Sequence, residues 1–258
     1  MFKKMNMHIL IFLLISMSMY SCQTGRSQGS TEILSPDQRN KITFQLEDGK
    51  PYYQVTRDDK LIINLSKMGF LLKDGDPLNQ NFRIEKVKKS SFNENWTQVW
   101  GEQKNIWNHY NELRIQLLEK SEKPRKLNIT FRMFDDGLGF RYEFPGQKHL
   151  KEFQIMDEIT EFALAADNQV WWIPVYKYHR YEYLFQESPA SQIDTVHTPL
   201  TMKTPDGLFL SIHEANLTDY AAMTLLRSDN YVLKCDLVPW SDGVKVKTTT
   251  PAKTPWRT

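Results

Sequence analysis

The chain is poor in cysteine, with only Cys22 and Cys235 among its 258 residues, and it has no excess of either charge. Two thiols exclude a scaffold built on a disulfide framework. A formal net charge of +2 leaves no basic surplus to neutralise a phosphate backbone, so no nucleic-acid partner is expected. Only eleven glycines exclude a collagen-like or low-complexity chain. Beyond the first sixteen residues no run approaches the ~18 apolar residues of a membrane-spanning helix. Missing too are a Gly-x-Ser-x-Gly elbow, a phosphate-binding glycine loop, any cluster with zinc-ligand spacing, and a repeat of fixed period. What is present is ample core material. Hydrophobic residues make up 40% and aromatics 12%, enough for one large domain.

The N-terminus reads as an address. Lys3 and Lys4 precede the short apolar run Ile9 to Ile15, the layout of a secretory signal. Met19-Tyr20-Ser21-Cys22 follows, with a small residue directly before the cysteine, as in a bacterial lipoprotein signal. Residues 1–21 are therefore expected to be removed and Cys22 lipidated, which leaves a formally neutral mature chain held to the membrane by lipid only. The expected location is the periplasm or outer membrane of a Gram-negative cell. No acidic cluster follows Cys22, which leans towards the periplasmic face. Residues 22–30 read as a flexible polar tether, and 31–258 as the domain.

From Ile33 onward the hydrophobic period is two. Ile42, Phe44 and Leu46 alternate with polar residues, as do Leu113, Ile115 and Leu117. So do Leu127, Ile129, Phe131 and Met133, then Phe140, Tyr142 and Phe144. Alternation of this kind places one face of an antiparallel sheet on a core. Asp-Gly pairs at 48–49, 74–75, 136–137, 206–207 and 242–243 supply turns. Residues 208–212 are nearly continuous in apolar content and are expected as a strand buried on both faces. The fold class is all-β, a large two-sheet sandwich.

Chemistry is less legible. Residues 171–183 hold two Trp and four Tyr. Aromatic platforms edged by carboxylates suit sugars, and equally such rings fill a wide core. Trp172 and Tyr181 are the candidate platforms. Glu182 reads as a hydrogen-bond acceptor, a calcium ligand or a plainly exposed carboxylate. His213 and Glu214 are further candidates for substrate contact, against a structural hydrogen bond. Cys235, in a strand-like setting, reads as a buried bystander.

Several blocks together resemble the N-terminal domain of glycoside hydrolase family 97, calcium-dependent α-glucosidases and α-galactosidases. They are Trp100-Gly101-Glu102, Tyr110-Asn111-Glu112-Leu113, the stretch Phe131 to Tyr142, Tyr181-Glu182-Tyr183-Leu184, Ile212-His213-Glu214-Ala215 and Thr254-Pro255-Trp256-Arg257-Thr258. The resemblance implies a β-supersandwich of the galactose-mutarotase-like kind, followed in the family by a (β/α)₈ barrel that carries the catalytic carboxylates. It implies calcium, with Glu182 as the glutamate this domain lends and a site completed by the barrel. It implies an α-linked oligosaccharide as substrate. The barrel would begin after Thr258, so no catalytic residue is expected here. The chain alone is expected to be inactive, with Trp256 made to pack on the barrel. A stand-alone carbohydrate-binding lipoprotein is the alternative expectation.

Overall fold

The computed structural model describes residues 27–176 and 182–258, and Cys22 and Tyr181 lie outside them. The described residues contain no α-helix and one 3₁₀ turn, Ala190–Gln192. The chain is an all-β sandwich, as the alternation requires.

Strands Ser27–Leu34, Asn40–Glu47, Lys50–Arg57 and Lys60–Lys67 form an antiparallel meander in chain order. The first begins at Ser27, where Ser27 pairs with Glu47, so part of the expected tether is sheet. Asp48-Gly49 makes the turn between the second and third, with φ of 49° and 76°. Two successive positive φ values fit the right-handed twist of a hairpin. At Gly49 a Cβ would also stand 3.0 Å from the Phe82 nitrogen, so only glycine fits without strain.

Against this meander lies a larger sheet whose hydrogen-bonded path runs Glu214–Ala215, Trp256–Arg257, Leu138–Phe144, Lys126–Met133, Asn105–Glu119, Phe82–Thr97. Ala252–Lys253 also pairs with Leu138–Phe144. The alternating residues of the sequence point inward here. Leu113, Ile115, Leu117, Leu127, Ile129 and Phe131 are fully buried. Rings from the two layers meet: Phe44 lies 6.2 Å from Phe131, and Tyr53 lies 5.0 Å from Phe140. Phe70 continues the contact edge-on to Tyr142 at 4.6 Å. Offset and edge-to-face aromatic pairs add to the area they bury.

One expected strand differs. Phe209–Ile212 forms, but Phe209 is 60% exposed and only Ile212 is buried. It lies at the end of the path Gln186–Pro189, Gln169–Trp172, Leu200–Lys203, Phe209–Ile212, so it pairs on one side only. Apolar content alone did not distinguish a central strand from this edge.

The last residues complete the core. Arg257 is wholly buried and donates from Nε and Nη2 to the two oxygens of Glu158, at 2.8 and 2.7 Å. Its Nη1 donates to Glu214 Oε2 at 2.8 Å. Thr160 and Tyr220 hydroxyls add hydrogen bonds to Glu158, and the Met223 N–H donates to the other Glu214 oxygen. Trp256 is half-buried, its ring under the Arg132 and Arg141 guanidiniums at 4.7 and 4.4 Å. These guanidiniums cover part of the ring, which remains half-exposed and lines a surface hollow. Arg257→Ala would strand the Glu158 carboxylate in the interior. It is expected to lower stability by about 3–5 kcal/mol. A urea midpoint equal to that of the parent chain would contradict this assignment.

Candidate functional site

Strand Gln169–Trp172, which holds the first two aromatic residues of 171–183, pairs with Gln186–Pro189, Trp172 opposite Gln186. Alternation separates the paired tryptophans. Val170 and Trp172 point inward, and the Trp172 indole N–H donates to Ser188 Oγ at 3.0 Å. Trp172 is thus a core ring in this fold, not an exposed platform. Trp171 faces the other way and stacks on Phe209, with centroids 6.0 Å apart.

Beyond Trp172 the chain is clipped to strand Thr195–Val196. The Val175 N–H donates to the Thr195 carbonyl, and the His197 N–H to that of Ile173. Burial lowers the His197 imidazole below its usual range. Tyr176 has φ of 61°, uncommon for a bulky side chain, and its hydroxyl donates to Asp236 Oδ2 at 3.1 Å. Asp236 also accepts from Lys245 and Thr224, which fixes this anchor. On the far side of the segment Glu182 is exposed, followed by Leu184 and Phe185 at 90% and 70% exposure. Leu184 and Phe185 thus make a short water-facing apolar edge next to Glu182 in the chain.

His213 and Glu214 occupy a different setting. The His213 and Thr258 backbones exchange hydrogen bonds at 2.9 and 2.8 Å. Glu214 turns inward, both oxygens engaged by Arg257 and Met223. In this arrangement its carboxylate serves the core. His213 lines a shallow hollow with Arg132, Ala215, Trp256 and Thr258. Among the described residues the candidates occupy different settings, and Tyr181 lies outside them. Trp172 and Glu214 are structural, Glu182 is on the apolar edge, and His213 is at the hollow.

The Glycosyl-hydrolase 97 N-terminal family model matches residues 33–258. The chain belongs to that family. A family 97 glycoside hydrolase from Pseudoalteromonas sp., solved in complex with acarbose, is 39% identical with a TM-score of 0.85. The match covers 88% of this chain and 35% of that one. A variant of that enzyme in complex with panose matches with the same values. A β-arabinopyranosidase matches at 20% identity and TM-score 0.78, covering 88% of this chain and 39% of that one, and shows the shared fold alone. This chain spans about a third of the length of these relatives.

Within this family domain the most perturbed acids lie in the core. Cys235 is fully buried, and burial followed by the nearby Glu158 charge pushes its thiol well above the ordinary 9.0. Burial raises the Tyr53, Tyr142 and Tyr220 phenols well above 10.0 in the same way. Between the unfolded and folded values the native state keeps protons that the unfolded chain releases. The stability these groups contribute is therefore complete below about pH 8.5 and falls as pH rises beyond it. Each such group contributes up to about 1.4 kcal/mol per pH unit. Urea midpoints are expected to be level from pH 7 to 8 and to drop steeply between about pH 9 and 11. A flat profile would mean these groups are solvated.

Proposed function

We propose that this chain is the substrate-side support of a family 97 active site whose catalytic carboxylates lie on a (β/α)₈ barrel. The bonds cleaved would be α-glucosidic or α-galactosidic. Glycoside hydrolysis needs two carboxyl groups held ~5–9 Å apart across the bond. The observation that supports the assignment is the exposed edge of Leu184 and Phe185 that follows Glu182 in the chain. Contiguous apolar surface of this kind marks a contact with another body, and a barrel is the body that the coverage of the relatives leaves room for.

Calcium takes six to eight oxygen ligands. Among the described residues no three His, Cys, Asp or Glu side chains gather into a metal cluster. Glu182 supplies one hard oxygen donor at the edge, and in this proposal the remaining ligands come from the barrel. What Glu182 does on its own is present a carboxylate beside an apolar contact surface. The purified chain is expected not to turn over p-nitrophenyl α-glucoside or α-galactoside. A family 97 barrel supplied in trans should gain calcium-dependent activity from it, and Glu182→Gln should cut that gain at least roughly tenfold without moving the unfolding midpoint. Hydrolysis by the chain alone would refute the assignment.

We further propose export and lipidation at Cys22, which places the domain in the periplasm or at the outer membrane. The support is the sequence layout of Lys3, Lys4, the apolar run and Ser21-Cys22. Metabolic labelling with a fatty acid should mark the chain and not the Cys22→Ala variant. Equal labelling of both would exclude that anchor.

A further inference from the structure

The two longest strands, Phe82–Thr97 and Asn105–Glu119, run on beyond the sheet that holds them. Lys126–Met133 pairs only with Asn111 to Leu118, whereas the two long strands pair out to Thr97 and Asn105. The outer part is thus a two-stranded ribbon. Such a ribbon alone is at best marginally stable in water. Even so, it carries a tryptophan held open to solvent.

Cross-strand partners place Asn95 opposite Trp107, Asn93 opposite His109 and Ser91 opposite Asn111. Side chains alternate, so these six share one face. The Trp107 indole N–H donates to Asn93 Oδ1 at 2.7 Å. Its ring stacks on His109 with centroids 5.6 Å apart and planes 6° from parallel. Yet Trp107 remains 68% exposed. A hydrogen bond and a stack fix the ring in place while much of its surface faces water. The Asn93 amide keeps its N–H donors for another partner, and Asn95 adds a second amide. Asn111 donates to the Leu34 carbonyl, which steadies the inner end of the face. None of these six residues is a carboxylate, lysine or arginine, and Glu94 is directed to the opposite face.

We propose that this face is a carbohydrate-binding site, separate from the Glu182 edge, for a neutral pyranose oligosaccharide. A fixed indole offers a plane for the C–H face of a sugar ring. Amides offer paired donors and acceptors to its hydroxyls. Fixing the ring in advance lowers the ordering cost of binding. With no lysine or arginine among the six, the face offers no permanent cation to a phosphorylated or uronic acid ligand.

The test is titration of the full chain with maltoheptaose, followed by tryptophan fluorescence and calorimetry, with no barrel and no calcium present. Saturable binding is expected, weakened roughly tenfold or more by Trp107→Ala and a few-fold by Asn95→Ala. Trp107→Phe should retain part of the affinity. Trp240→Ala, at another exposed tryptophan, should leave it unchanged. In the unaltered chain, maltoheptaose should protect Trp107 from N-bromosuccinimide oxidation, read by peptide mapping. Absence of saturation at about 10 mM, equal affinity of Trp107→Ala, or equal oxidation of Trp107 with and without sugar would overturn the proposal. Because neither barrel nor calcium is present, failure here is separable from failure of the catalytic-support reading.

Discussion

Arg257 is the residue around which the domain closes. Its guanidinium reaches Glu158 and Glu214, 99 and 43 positions earlier in the chain, from a strand of two residues. Burying a cation is costly, and the cost is met here only because the surrounding groups are complete. The planar fork donates twice to one carboxylate and once to another, a geometry lysine cannot copy. Glu158 is further held by Thr160 and Tyr220, and Thr160 in turn meets the Tyr142 hydroxyl at 2.7 Å. The network thus joins the final strand, the Glu152–Glu158 strand, the Leu138–Phe144 strand and the Glu214–Ala215 strand through charge and geometry.

The outer side of the large sheet is organised differently. Arg132 lies over both Tyr110 and Trp256, at 4.5 and 4.7 Å, and Arg141 covers Trp256 from a neighbouring position. Glu112 pairs with Arg132, while Glu143 is shared by Arg114 and Arg141. Tyr110 passes the contact outward to Phe92, stacked at 5.2 Å where the ribbon starts. Cations over ring faces let this surface remain polar to water while shielding the aromatics beneath. The core fixes one face of the long strands and this ladder the other, which explains how a ribbon can project from them in a defined direction.

Much of the fold was legible in the sequence because its strands alternate strictly. Leu113-Ile115-Leu117 and Leu127-Ile129-Phe131 could be assigned a buried face from period alone, and the structure agrees. The Asp-Gly pair at 48–49 named its hairpin because only that backbone geometry needs it. Failures arose where composition replaced period. Residues 208–212 were rich in apolar side chains, yet Phe209 points to water from an edge strand. The density of rings at 171–183 concealed that Trp171 and Trp172 must face opposite ways. The Arg257 network left no local trace, since its members are far apart in sequence. Trp107 carried a signal that was readable, an alternation of Asn, Trp and His running outward from a core strand.

Where the perturbed groups lie bears on what the domain does. In enzymes, strongly shifted acids tend to sit in clefts, poised to exchange protons with a ligand. Here Tyr53, Tyr142 and Cys235 are shifted by burial and packed inside the sandwich, and Tyr220 is shifted likewise while packed against the core from its edge. Their shifts are a consequence of packing and favour the neutral forms that hold the core together. The exposed chemistry is of another sort: a carboxylate at an apolar edge and a fixed indole fringed by amides. In the roles proposed above, one would meet a neighbouring domain and the other a sugar. A closed interior with its exposed groups at the rim is the arrangement that the proposed supporting role, with the reaction carried out elsewhere, requires.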